Sequence, residues 1–125
     1  MYRLCLSQHE ADRDKYIPTA NAVRFCLLRR STDSSWSKVP NYESFTLDSS
    51  WEKTITKLET YDDNGFQWQY AIRELDKAGN PIDNDNTTTI TAASGNVTYK
   101  VEYTTMTSSN ITTGLIVNNT RIVQD

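Results

Sequence analysis

The chain has 125 residues and a net charge of −3, which suits one domain with one core. That balance gives no electrostatic reason to expect nucleic acid or an anionic membrane as partner. No apolar run reaches the length of a transmembrane helix, so membrane insertion is not expected.

Met1-Tyr2-Arg3-Leu4 leads into polar residues instead of a signal-peptide core. Met1 is therefore read as a start codon added to an excised module. Thr, Ser, Asn, Tyr and Val are abundant, a usage that favours strands over helices.

Tyr2, Leu4 and Leu6 alternate with Arg3, Cys5 and Ser7, which predicts a first strand. His9 to Lys15 reads as a polar loop of mixed charge. Asp12 and Asp14 in it make no calcium-loop pattern. Val23, Phe25 and Leu27 against Arg24, Cys26 and Leu28 predict a second strand, followed by a loop over Arg29 to Ser35. Pro40 limits the Trp36–Tyr42 stretch to a short edge strand or an irregular passage.

The richest pattern runs from Phe45 to Glu74. Trp51, Lys53 and Ile55 share one face of a strand. Asp63-Asn64-Gly65 signals a hairpin turn, because Asn and Gly both tolerate positive φ. Phe66, Trp68, Tyr70 and Ile72 then alternate with polar neighbours. Parity places Glu74 on the apolar face, where a carboxylate is costly unless paired or protonated.

Further on, Leu75 to Pro81 is a strong turn signal and Asp83 to Asn86 a polar loop. Thr87 to Ala92 is a weaker strand candidate. Val97, Tyr99, Val101 and Tyr103 alternate clearly with Thr98, Lys100, Glu102 and Thr104. A last strand is expected within Ile111–Val123, with Gly114 as a bulge or bend. Short strands punctuated by turns, with no helical period, predict an all-β antiparallel sandwich.

Trp51, Lys53, Ile55, Leu58, Tyr61-Asp62-Asp63-Asn64-Gly65 and Tyr70-Ala71-Ile72-Arg73-Glu74 resemble the signature of the Cna B-type repeat of Gram-positive collagen adhesins and pilins. Ile116-Val117-Asn118-Asn119-Thr120-Arg121 is similar to the closing block of such repeats. The resemblance implies a single prealbumin-like, reverse-immunoglobulin domain over residues 1–125. The extra length within 87–110 is then read as an inserted hairpin. It also implies an extracellular, cell-wall-anchored surface protein, with neighbouring repeats as partners and a monomeric module.

The resembled family performs one reaction per molecule, an isopeptide bond between a first-strand Lys and a last-strand Asn. Burial makes the amine neutral and keeps the assisting acid protonated. By that resemblance Glu74 is the assisting acid and Asn119 the acceptor, with Asn118 one register away. The expected strand offers Arg3, Leu4, Cys5 and Leu6 but no Lys; Lys15 is the nearest. Arg cannot substitute, because it stays protonated. The competing reading of Glu74 is an ion pair with Arg3 or hydrogen bonds to tyrosine hydroxyls.

Cys5 and Cys26 permit one disulfide, or stand as two small apolar thiols. No metal-binding spacing, cofactor motif or catalytic constellation stands out, and the only histidine is His9. A structural spacer is the leading function. The alternatives are a ligand-binding adhesin domain for a host matrix protein or a glycan, using Trp36, Trp68 or Tyr42, and an accessory β-domain of a secreted enzyme.

Overall fold

The computed structural model describes residues 2–10, 23–92 and 95–122. Eight strands occur among them: β1 Tyr2–Glu10, β2 Phe25–Ser31, β3 Ser34–Lys38, β4 Glu52–Leu58, β5 Gln69–Glu74, β6 Thr87–Ala92, β7 Gly95–Ser108 and β8 Ile111–Arg121. They form two sheets, in the orders β4-β1-β8-β7-β6 and β3-β2-β5. The all-β sandwich expected from the strand pattern is what forms. Every pairing between strands is antiparallel except one. β1 and β8, first and last in the chain, run parallel from Cys5↔Gly114 to Glu10↔Asn119.

Alternation decides which faces meet. Leu4, Leu6, Ile55, Val101, Leu115 and Val117 turn inward from the larger sheet. Phe25, Leu27, Tyr70 and Ile72 meet them from the smaller one. Each such side chain contributes on the order of 1.5–3 kcal/mol through burial. β3 is a fully exposed edge strand ending before Pro40, as a proline with no donor requires.

β1 is longer than its alternation suggested. Gln8, His9 and Glu10 continue the strand along Val117, Asn118 and Asn119 of β8. β2 likewise runs on through Arg29 and Arg30 to Ser31, shortening the expected loop. The stretch 87–110 holds the β6–β7 hairpin, and β7 lies between β6 and β8.

The Asn-Gly turn forms, but it does not join two paired strands. Tyr61↔Gln67 is an isolated bridge at its tip. Beyond it the flanking strands part, β4 to one sheet and β5 to the other. The turn is organised by Asp62, whose carboxylate accepts the N–H groups of Asn64 and Phe66. Gly65 holds φ at 86°. Ser31 donates its hydroxyl to Asp62 at 2.6 Å; that bond, chiefly, keeps the Asp62 carboxyl below its ordinary range.

Two more turns repeat the device. Asp76 accepts from Ala78 and Asn80, with Gly79 at φ 86°. Asp48 accepts from Ser50 and Glu52, but the left-handed position is Trp51, at φ 61°. A bulky residue there costs roughly 1–2 kcal/mol. The indole is buried in the core, and its burial offsets that strain.

Candidate functional site

β5 is an edge strand of the smaller sheet and faces β7 and β8 of the larger one. Its pairing with β2 leaves every second backbone group pointing away from β2. Side chains from the opposite sheet meet two of these. Tyr70 N–H donates to Thr112 Oγ1 at 3.3 Å, and Glu74 N–H donates to the Tyr103 hydroxyl at 2.9 Å.

The Tyr103 hydroxyl donates in turn to Ile82 O at 2.7 Å, while Ile82 N–H donates to Glu74 O at 2.9 Å. One phenol thus ties β7 to the end of β5 and to the turn after it. Burial pushes the Tyr103 hydroxyl well above the ordinary tyrosine range.

The inward parity of Glu74 is realised: the residue is 1% exposed. Asn119, 3% exposed, donates its Nδ2 to Glu74 Oε1 at 3.0 Å. This bond crosses from sheet to sheet and joins residues 45 apart in sequence. An amide donor supplies part of the hydrogen bonding that burial takes from a carboxyl group. The Oδ1 of the same amide is buried and accepts no hydrogen bond among the described residues. Asn118, the other acceptor candidate, is half-buried on the opposite face of β8. β8 therefore presents one asparagine to Glu74, and it is Asn119.

Asn119 sits between Val101 of β7 and Glu10 of β1. The chain leaves β1 beside it and enters residues 11–22, so Lys15 lies outside the described residues. Lys100 reaches Asp85 at 3.7 Å, and Lys53 stands 6.0 Å from the Phe45 ring. The competing reading places tyrosine hydroxyls on the Glu74 carboxyl; the Tyr103 hydroxyl meets the backbone N–H of Glu74 instead. The Arg3 side chain falls outside the description.

Cys5 and Cys26 are free. Cys5 is exposed on β1 and Cys26 is buried on β2 of the other sheet, so no disulfide forms between them. Burial pushes the Cys26 thiol up, against the opposing charges of Lys38 and Arg73.

The three proposed aromatic contact residues separate. Trp68 is buried under the Arg29 guanidinium, 4.2 Å from its ring centroid. Tyr42 packs edge-on against Phe45 at the margin of the core. Trp36 alone stays open, at 43% exposure, with Arg30 4.9 Å from its centroid. The adjacent arginines thus each stack on a tryptophan, which alternation along β2 makes natural.

Tyr103 is the residue that sequence reasoning missed. Its inward parity was visible, but only the packing of β7 on β5 brings its hydroxyl to Glu74. No group of His, Cys, Asp and Glu suited to a metal ion occurs among the described residues. No family model, curated protein or solved structure matches the chain.

Proposed function

We propose that this domain is a load-bearing spacer of a bacterial cell-surface protein, a Cna B-type module that projects other domains from the cell wall. The observation that carries this reading is the buried Glu74–Asn119 pair, on the strand that lies parallel to β1. Strand geometry supports it. Tyr2 and Arg121 lie at opposite ends of adjacent parallel strands, roughly 30 Å apart at strand rise. Tension along the chain then shears the whole ladder together and cannot peel it bond by bond.

Within this reading Glu74 assists a cross-link between Lys15 and Asn119. The neutral Lys15 amine attacks Asn119 Cγ, and the Cγ–Nδ2 bond breaks. The protonated Glu74 carboxyl gives its proton to the leaving nitrogen, which departs as ammonia, and regains one from the attacking nitrogen. No oxidant or cofactor enters the balance.

Intact mass tests the reaction. The chain is expected to weigh about 17 Da less than its sequence, one ammonia. Glu74→Ala, Asn119→Ala and Lys15→Ala are each expected to restore the full mass. A full mass in the unaltered chain removes the cross-link. Single-molecule extension then tests the spacer separately: a domain that unfolds at low force along its termini is not built to carry load.

A further inference from the structure

Beside the sealed Glu74 end, the gap between β5 and the β7–β8 hairpin stays open as a cleft of about 350 Å³. Trp36, Gln69, Arg73, Asn84, Tyr103 and Asn110 line it, together with threonine hydroxyls from β7 and β8. We propose that this cleft binds a saccharide bearing a carboxylate, with Trp36 as its stacking platform and Arg73 as its acid anchor. The inference goes beyond the spacer role and does not depend on the cross-link.

The lining carries the argument. A sugar ring offers weakly positive C–H groups on its faces and hydroxyls at its rim. An open indole face suits the first, and amides and hydroxyls, which both donate and accept, suit the second. Trp36 is the most exposed tryptophan and lies on the cleft wall. It is held in place: Arg30 stacks on it, and Gln69 Oε1 accepts from Arg30 Nε at 3.1 Å.

Charge narrows the ligand. The protein as a whole is acidic, at −3, yet among the described residues no Asp or Glu lines this cleft. Arg73 does. Its guanidinium lies 4.6 Å from the Tyr103 centroid, and its Nη1 donates to Ile72 O at 2.7 Å. A guanidinium has five N–H donors, so this bond fixes its position and leaves others to grip a carboxylate. Asn84 is fixed as well, because its Oδ1 accepts Tyr103 N–H at 3.0 Å. Side chains already locked in place lose little freedom on binding.

The test is a ¹⁵N chemical-shift titration of the whole chain. Sialyllactose and oligogalacturonate are the acidic probes, and lactose and a cello-oligosaccharide the neutral ones. Shifts confined to Trp36, Gln69, Arg73 and Asn110 with an acidic probe are expected, and which of the two binds identifies the acidic sugar. Trp36→Ala should weaken binding by about tenfold or more. Arg73→Gln should abolish the preference for acid, and Arg73→Lys should keep it in part. Raised salt should weaken acidic-probe binding.

No shifts with any probe, or shifts that map elsewhere, overturn the proposal. Equal affinity for neutral and acidic sugars overturns the role of Arg73. Both readouts are independent of the intact mass, so this site and the spacer reading fail separately.

Discussion

The two ends of β5 face the same opposing strands and are finished in opposite ways. At the Glu74 end the sheets close over a carboxyl group bonded to the Asn119 amide and a phenol bonded to two backbone groups. From Gln69 to Arg73 the strand instead borders an open cleft lined by polar side chains. The closed end can exist because Glu74, Asn119 and Tyr103 each find a partner across the gap. The open end can exist because water satisfies what the protein does not. Tyr103 is the wall between them: its hydroxyl serves the closed end, and its ring carries Arg73 at the edge of the cleft. Burial, more than residue type, separates a structural polar group from one available to a ligand.

Asn119→Ala should break the closed end most severely. It leaves the Glu74 carboxyl buried without its amide donor, at about 1–3 kcal/mol or more. Urea denaturation should show a lower midpoint at unchanged slope. Glu74→Gln should cost less than Glu74→Ala, because an amide can still pair with an amide.

Tyr103→Phe comes next. Glu74 N–H and Ile82 O lose their common partner, at about 1–3 kcal/mol. The same variant has a pH signature. Burial raises the Tyr103 hydroxyl in the fold, so its neutral form is favoured there. Its contribution is full below the unfolded tyrosine value, about 10. Above that the unfolded state ionises first, and stability falls as pH rises. Alkaline unfolding of Tyr103→Phe should lack that part of the slope.

Thr112→Val should cost about 1 kcal/mol, since Tyr70 N–H loses its acceptor at the boundary between the two ends. Trp36→Ala should be the mildest. On an exposed edge strand it should change thermal stability by no more than about 0.5 kcal/mol, while weakening saccharide binding about tenfold or more. A large loss of stability there would show that the open end is structural too.

The sequence revealed these regions unequally. Glu74 was legible because strand period fixes parity; Asn119 was named together with Asn118 only by resemblance, and burial on β8 is what separates the two. The cleft was not legible, because its walls come from β3, β5, β7 and β8, whose approach no local pattern records. Trp36 was a candidate, with Trp68 and Tyr42, only because aromatics stack on sugars and anchor interfaces. The Asn-Gly turn misled for a related reason. Asp62 and Gly65 determine that the chain reverses, not which strands pair afterwards, and β4 and β5 part to separate sheets. Trp51 in a left-handed turn was invisible, because tertiary burial overrode the local preference for glycine.

By itself, then, the sequence determined the all-β class, most of the inward faces and the turn positions. These follow from side-chain period and backbone sterics, which act over a few residues. Only the tertiary structure decided that first and last strands lie parallel, that Glu74 meets Asn119 across the sheets, that the cysteines stand apart and that a cleft opens beside Trp36. Those depend on which distant surfaces bury one another, and that free energy is not written in any one segment.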